Sequence, residues 1–168
     1  MVDTTPDASQ RERERSRFGA TILGGGALQN GAFAASVGGV FRLNAHWLFG
    51  VDAEYNPWFS LRDFDVKRGS TNVYATGVLR YPLSFQRVNL RTTLQLGISR
   101  MNFALFGVPE GSIGPYVGFN LLGVDYEIAH GFYLIVNPAH IAIPIPKTSG
   151  TPYYYPQYRF TIGLQFGG

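Results

Sequence analysis

Three histidines, His46, His130 and His140, are the first side chains to weigh for chemistry in this sequence, because it has no cysteine to supply a thiolate nucleophile or a soft metal ligand. No His-x-x-x-His pair exists, and the acidic residues are dispersed, so no metal-ligand spacing forms. Asp63 and Asp65 could touch a cation, but their setting reads as a solvated loop. Gly24, Gly25 and Gly26 lack the phosphate-binding Gly-x-Gly-x-x-Gly spacing, since position 29 is Gln, and no Gly-Lys-Ser/Thr follows. They read instead as close strand packing or barrel curvature. His46 and His130 read as turn residues. Ser112 and Ser149 fall in expected loops without a base beside them. These residue types predict no cofactor and no resident metal.

More informative are charges that recur opposite apolar neighbours. Arg42, Asp52, Glu54, Arg80, Arg91 and Glu127 share the polar side of alternating segments. If the apolar side faces outward, these six face a confined interior. Arg42, Arg80 and Arg91 then need acidic partners, because an unpaired buried charge costs several kcal/mol. The expectation is an interior ion-pair network with Asp52, Glu54 and Glu127, structural in role.

The elements that must position them are strands. Period-two alternation dominates, the mark of a sheet with different chemistry on its two faces. In 158–166, Tyr158, Phe160, Ile162, Leu164 and Phe166 oppose Arg159, Thr161, Gly163 and Gln165. In 47–57, Trp47, Phe49, Val51, Ala53 and Tyr55 oppose Asp52 and Glu54. Segments 88–100, 18–29, 33–43, 73–83, 115–127 and 131–145 follow the same rule. The phase of 131–145 slips near Asn137 and Pro138, which predicts a bulge that absorbs the missing proline donor. Segment 115–127 also changes phase, at a point the pattern does not locate. Connections at 44–46, 84–87 and 129–131 are short, whereas those at 58–71, 106–114 and 146–156 are longer. Alternating short turns and long loops is the layout of transmembrane barrels.

Composition chooses between the two possible faces. Charged residues make up 15% of the 168, against 13 Phe, 10 Tyr and 21 Gly. A watered surface carries roughly 25–35% charge. A net charge of +3 without a basic stripe excludes a nucleic-acid footprint. Residues 18–41 are uncharged but hold seven glycines, a poor helix. They could also pass for a signal peptide behind Arg11, Arg13, Arg15 and Arg17, but Gly24 to Gly26 interrupt the apolar run. The expectation is that the export signal has been removed, that 1–17 form a polar flexible tail, and that 18–166 form the barrel. Aromatic residues near strand ends, including Phe18, Phe41, Trp47, Tyr55, Tyr81, Tyr116, Tyr126, Phe132, Tyr158 and Phe166, suit interfacial girdles. The predicted fold is all-β: a closed antiparallel up-and-down transmembrane β-barrel of about eight strands.

The run Tyr158-Arg-Phe-Thr-Ile-Gly-Leu-Gln-Phe166 resembles the closing strand of the small bacterial outer-membrane barrels, the OmpA/OmpX-like class. The departure is Gly167 and Gly168, which follow the aromatic. The resemblance implies an outer-membrane location and recognition of Tyr158, Phe160, Ile162, Leu164 and Phe166 by the barrel-assembly machinery during insertion. It also raises lipid A-modifying barrel enzymes, in which a serine lies two residues after a catalytic histidine. Here His140 is followed by Ile141 and Ala142, so that nucleophile is missing.

The leading functional expectation is a non-enzymatic barrel with a filled polar interior, acting structurally or by presenting loops. An adhesin or envelope-complex subunit would use loops 57–71 and 146–157. Trp58, Phe59, Arg62, Lys67, Arg68, Tyr153, Tyr154 and Tyr155 are their candidate contacts, with Arg62, Lys67 and Arg68 placed for lipopolysaccharide phosphates. A soluble lipocalin-like ligand-binding barrel is the alternative with the faces exchanged.

Overall fold

The computed structural model describes residues 16–27, 33–56, 69–83, 87–105, 108–145, 147–148, 151–152, 154 and 156–168. Eight strands form a closed barrel: β1 (Phe18–Ala27), β2 (Phe33–Arg42), β3 (Trp47–Asn56), β4 (Ser70–Pro82), β5 (Val88–Leu105), β6 (Val108–Ala129), β7 (Phe132–Pro144) and β10 (Gln157–Gly167). Each pairs antiparallel with its chain neighbours, and β10 closes on β1 through nine residue pairs from Gly19↔Gly167 to Ala27↔Arg159. A two-stranded ladder of β8 (Lys147–Thr148) and β9 (Thr151–Pro152) lies in the last loop. Closure leaves no strand edge within the wall, so the backbone groups there are paired without water.

The start of β1, the end of β10 and the turns after β2, β4 and β6 share one rim, the turn rim. The opposite loop rim carries the longer connections. At the turn rim, the Asn44 side chain accepts from the backbone N–H groups of His46 and Trp47, both at 2.9 Å, and turns the chain into β3. His46 donates from Nδ1 to the Arg80 carbonyl at 3.0 Å, tying this turn to β4.

Beyond Met101 on β5 and Tyr116 on β6, the two strands go on pairing with each other to Leu105↔Val108, and the Pro115 carbonyl also accepts from the Ile145 N–H at 2.8 Å. The sequence pattern expects a connection over 106–114, where the chain carries Pro109, Gly111 and Gly114, yet β6 already begins at Val108. A two-stranded ribbon that extends past the barrel wall tolerates such residues, since a strand at an edge owes its ladder hydrogen bonds mainly on one side.

Two bulges explain the phase slips. Between Asn120↔Thr93 and Gly123↔Arg91, β6 holds two residues against one of β5. Between Asn137↔Thr161 and His140↔Arg159, β7 holds two residues against one of β10. The extra residues, Leu121 with Leu122 and Pro138 with Ala139, all face outward. The bulges lie side by side, and β6 and β7 stay in step across them, with Asn120↔His140 above and Val124↔Val136 below.

The faces are inverted relative to a water-soluble barrel. Ile22, Val37, Val51, Val73, Leu94, Leu96, Ile98, Leu121 and Ile162 lie exposed on the outer wall. Asp52, Glu54, Arg80, Arg91, Asp125 and Arg159 are buried inside. This overturns the lipocalin-like alternative, whose apolar face would point inward. Phe18, Trp47, Tyr81, Tyr126 and Phe166 project outward near the turn rim, and Tyr55 and Tyr158 near the loop rim. Tyr116 departs from the girdle expected of it. It is buried in the lumen, its ring stacked on Tyr74 at 4.8 Å and 12°. A strand read from Tyr126 backward with strict alternation misplaces it, because the Leu121–Leu122 bulge reverses the parity.

Candidate functional site

The lumen is the site that the fold builds. Near the turn rim, Arg80 on β4 and Arg91 on β5 are direct cross-strand partners. Like charges so opposed destabilise a ladder unless a counter-charge bridges them. Asp125 on β6 supplies it. Its Oδ2 accepts from Arg80 Nε at 2.6 Å and its Oδ1 from Arg91 Nη1 at 2.9 Å. Arg80 also donates from Nη2 to Gln165 Oε1 at 2.9 Å, and its guanidinium lies 4.6 Å from the centre of the Tyr133 ring. Asp125 faces the lumen because of the bulge. Asn120 is buried at an even position, and after Leu121 and Leu122 the buried positions of β6 are odd.

Toward the loop rim, Arg159 on β10 spans the lumen to Glu54 on β3, with Nη1 at 2.8 Å from both carboxylate oxygens. Gln157 accepts from the same guanidinium, from Nε at 2.8 Å and also from Nη2. Glu54 further accepts from Asn72 Nδ2 at 2.6 Å and from the Tyr74 hydroxyl at 3.4 Å. Asp52 stands between the clusters. It accepts from the hydroxyls of Thr21, at 3.1 Å, and Thr76.

Of the six residues expected to form one network, Arg42, Asp52, Glu54, Arg80 and Arg91 are buried. The described ion pairs of Arg80, Arg91 and Glu54 run to two residues outside that set. Arg80 and Arg91 meet Asp125, and Glu54 meets Arg159. Glu127 is half-buried at the turn rim, where its carboxylate accepts from the Gly131 N–H at 3.4 Å. Asp125 and Arg159 were the residues missing from the expected network. Arg159 sits on the polar face of the clearest alternating strand, so its inward direction was available from the pattern. Asp125 required the position of the bulge.

His140 is buried beside the Glu54 cluster, with Nε2 at 2.9 Å from Gln95 Oε1. The Tyr116 hydroxyl donates to the same oxygen at 3.3 Å. Gln95 Oε1 has no proton to offer, so His140 must donate from Nε2. That hydrogen bond and the surrounding tyrosine and amide groups enclose the ring within the lumen. Among the described residues no group of three or more His, Cys, Asp or Glu could hold a metal ion. Trp58, Phe59, Arg62, Lys67, Arg68, Tyr153 and Tyr155, like Asp63 and Asp65, lie outside the described residues. Tyr154 is exposed.

On the closing strand, Tyr158, Phe160, Ile162 and Phe166 face outward, with Leu164 half-buried between neighbours. Phe166 stacks on Phe132 of β7 at 4.6 Å. Gly167 and Gly168 both have positive φ, 72° and 85°. They turn the chain inward beneath the barrel. Gly167 N–H donates to the Gly131 carbonyl, its own carbonyl accepts from Gln165 Nε2, and Gly168 is buried beside Val40 and Leu48.

No protein-family model matches the chain, and no curated protein matches it in sequence. Solved structures do match its fold. Neisserial surface protein A is 16% identical, with 90% of this chain and 94% of that one aligned and a TM-score of 0.64. The N-terminal β-barrel domain of OprF from Pseudomonas aeruginosa is 7% identical, with 92% and 100% aligned and a TM-score of 0.66. Ail, the attachment invasion locus protein of Yersinia pestis, solved with the heparin analogue sucrose octasulfate, is 15% identical, with 90% and 95% aligned and a TM-score of 0.50. The chain therefore has the fold of the small eight-stranded outer-membrane barrels, an OmpA/OmpX-like architecture.

Proposed function

We propose that this protein is a non-enzymatic barrel of a bacterial outer membrane, with a filled interior that stabilises the wall and external loops that face the cell's surroundings. The observation that carries this reading is the inversion of the faces, with bridged charges inside and Ile, Leu, Val and Phe outside. A belt so apolar needs lipid around it, and a lumen crossed by Arg159 and Arg80 leaves no wide channel. In this reading the turn rim is periplasmic, and the alternating face of Tyr158, Phe160, Ile162, Leu164 and Phe166 is what the barrel-assembly machinery engages. Membrane fractionation and heat-modifiable migration test it. The folded protein should run differently before and after boiling and should require detergent for extraction. Solubility without detergent would refute it.

A second reading, an adhesin or envelope-complex subunit, draws support from the likeness to Ail and from exposed cations toward the loop rim, Arg100 and Lys147. Arg62, Lys67 and Arg68 belong to the same rim in sequence. Their shared chemistry suits phosphate or sulfate groups, including those of lipopolysaccharide. Deleting residues 58–70 should abolish capture of an envelope partner or sulfated glycan while leaving the heat-modifiable band intact. Undiminished capture would exclude this loop. A lipid A-modifying activity is disfavoured by Ala142 and by the enclosed His140. Loss of acyl chains from lipid A on incubation with the purified protein, abolished in His140→Ala, would reverse that judgement.

A further inference from the structure

Every border of the barrel wall but one joins strands that follow each other around the wall in chain order. The exception is the seam between β1 and β10, with all the other wall strands between them in the chain. Closing it restricts more chain than any other border does. The seam also gains little from side chains. Of the nine β1 residues paired in it, Gly19, Gly24, Gly25 and Gly26 are glycine and offer no cross-strand side-chain contact.

At the turn rim a short strap crosses this seam. Gly167 N–H donates to the Gly131 carbonyl at 2.7 Å, on the β7 side of β10, and Gly168 N–H donates to the Ser16 carbonyl at 3.2 Å, on the β1 side. Arg42 N–H donates to the Arg17 carbonyl at 2.7 Å and carries the tie on to β2. Gly168 itself is buried, and a Cβ there would stand 3.2 Å from Val40 Cγ1 on β2 and 3.4 Å from Leu48 Cδ2 on β3. Both glycines are left-handed, with φ of 72° and 85°, and a Cβ on Gly167 would stand 2.4 Å from the Phe18 carbonyl oxygen. A regular strand does not ask for that conformation, and an L side chain disfavours it. The two acceptors lie on opposite sides of β10, so the strap is complete only when β1 and the turn before β7 already flank that strand.

We propose that Gly167 and Gly168 form a strap that fastens after β10 has paired with β1 and then slows the parting of the seam. Glycine lets the same two residues run extended beforehand. Bonds that form after the rate-limiting step of folding act on the unfolding rate and leave the folding rate nearly alone.

The test follows unfolding and refolding of the full chain in lipid vesicles separately, from the heat-modifiable band after jumps in urea. Gly167→Ala and Gly168→Ala should each unfold about 5- to 30-fold faster than the wild type. Their refolding rates should change by less than about twofold. Gly77→Ala is the control, since a Cβ there meets nothing within 4 Å, and both of its rates should stay at the wild-type values. Unchanged unfolding in both strap variants overturns the proposal. So does refolding slowed as much as unfolding is accelerated, because the strap would then fasten before closure. Should neither variant fold, amide exchange in the wild type decides: Gly167 and Gly168 N–H protected as well as the β1–β10 ladder supports the strap, and exchange at the rate of a free peptide refutes it.

Discussion

Asp125 holds two arginines that face each other across a strand pair, and its removal should be felt accordingly. Asp125→Asn leaves Arg80 and Arg91 opposed and buried without their shared acid, and the expected loss is about 3–5 kcal/mol. Urea titration of the folded band in detergent or vesicles measures it. Glu127→Gln, at the half-buried rim, should cost less than about 1 kcal/mol in the same assay. Equal losses would show that Asp125 is not the bridging acid. Glu54 and Arg159 offer a second comparison. Either single truncation strands a buried charge, whereas Glu54→Leu combined with Arg159→Met removes both and should recover most of the loss. A double variant as weak as the sum of the singles would argue against the pair. The inward face of Arg42, Asp52, Glu54, Arg80 and Arg91 was legible in the sequence, since alternation fixes side. Which charge meets which was not, because pairing across a lumen depends on strand order and stagger, which alternation does not encode.

Among the elements, the seam between β1 and β10 is set by glycine. A Cβ on Gly25 would stand 2.1 Å from the Phe160 carbonyl oxygen, and one on Gly163 would stand 2.0 Å from that of Ile22. No side chain fits at either place without moving backbone. Gly25→Ala and Gly163→Ala should each cost about 1–3 kcal/mol or more. Gly39→Ala should be nearly silent, because a Cβ there meets nothing within 4 Å. The fraction of heat-modifiable protein after refolding into vesicles compares the three. The strand segments themselves were readable from the period of two, and the slip at Pro138 announced a bulge because proline cannot donate to a ladder. The slip in β6 was visible without being placeable. Leu121 and Leu122 are both at home in lipid, so nothing in their types marks which residue is extra. The upper ends of β5 and β6 were hidden for a different reason, since glycine and proline signal a turn and an edge ribbon alike.

At the scale of the molecule, the orientation of the two faces is the claim with the widest consequences. Trp47 projects from the outer wall near the turn rim. In Trp58→Phe protein, which leaves Trp47 as the sole tryptophan, lipids brominated along the acyl chain should quench most of its fluorescence, whereas aqueous iodide should quench little. Efficient iodide quenching would place Trp47 in water and contradict the membrane seating. Scarce charge, abundant aromatics and alternation sufficed to indicate a barrel with lipid outside. They could not indicate a physiological partner, because the loop chemistry that would choose one is local and the barrel tolerates many loops.

The neighbouring bulges of β6 and β7 carry a consequence for how such a chain can change over generations. Each strand has one residue more than a regular ladder needs, and the two surpluses cancel along their shared border. Losing Leu121 alone would leave Pro138 and Ala139 out of step with both flanking strands. Losing Leu121 together with Ala139 would restore even spacing on every side. Insertions and deletions at these two places should therefore be inherited as a couple, with a harmful single-codon loss in one strand rescued by a second loss in the other.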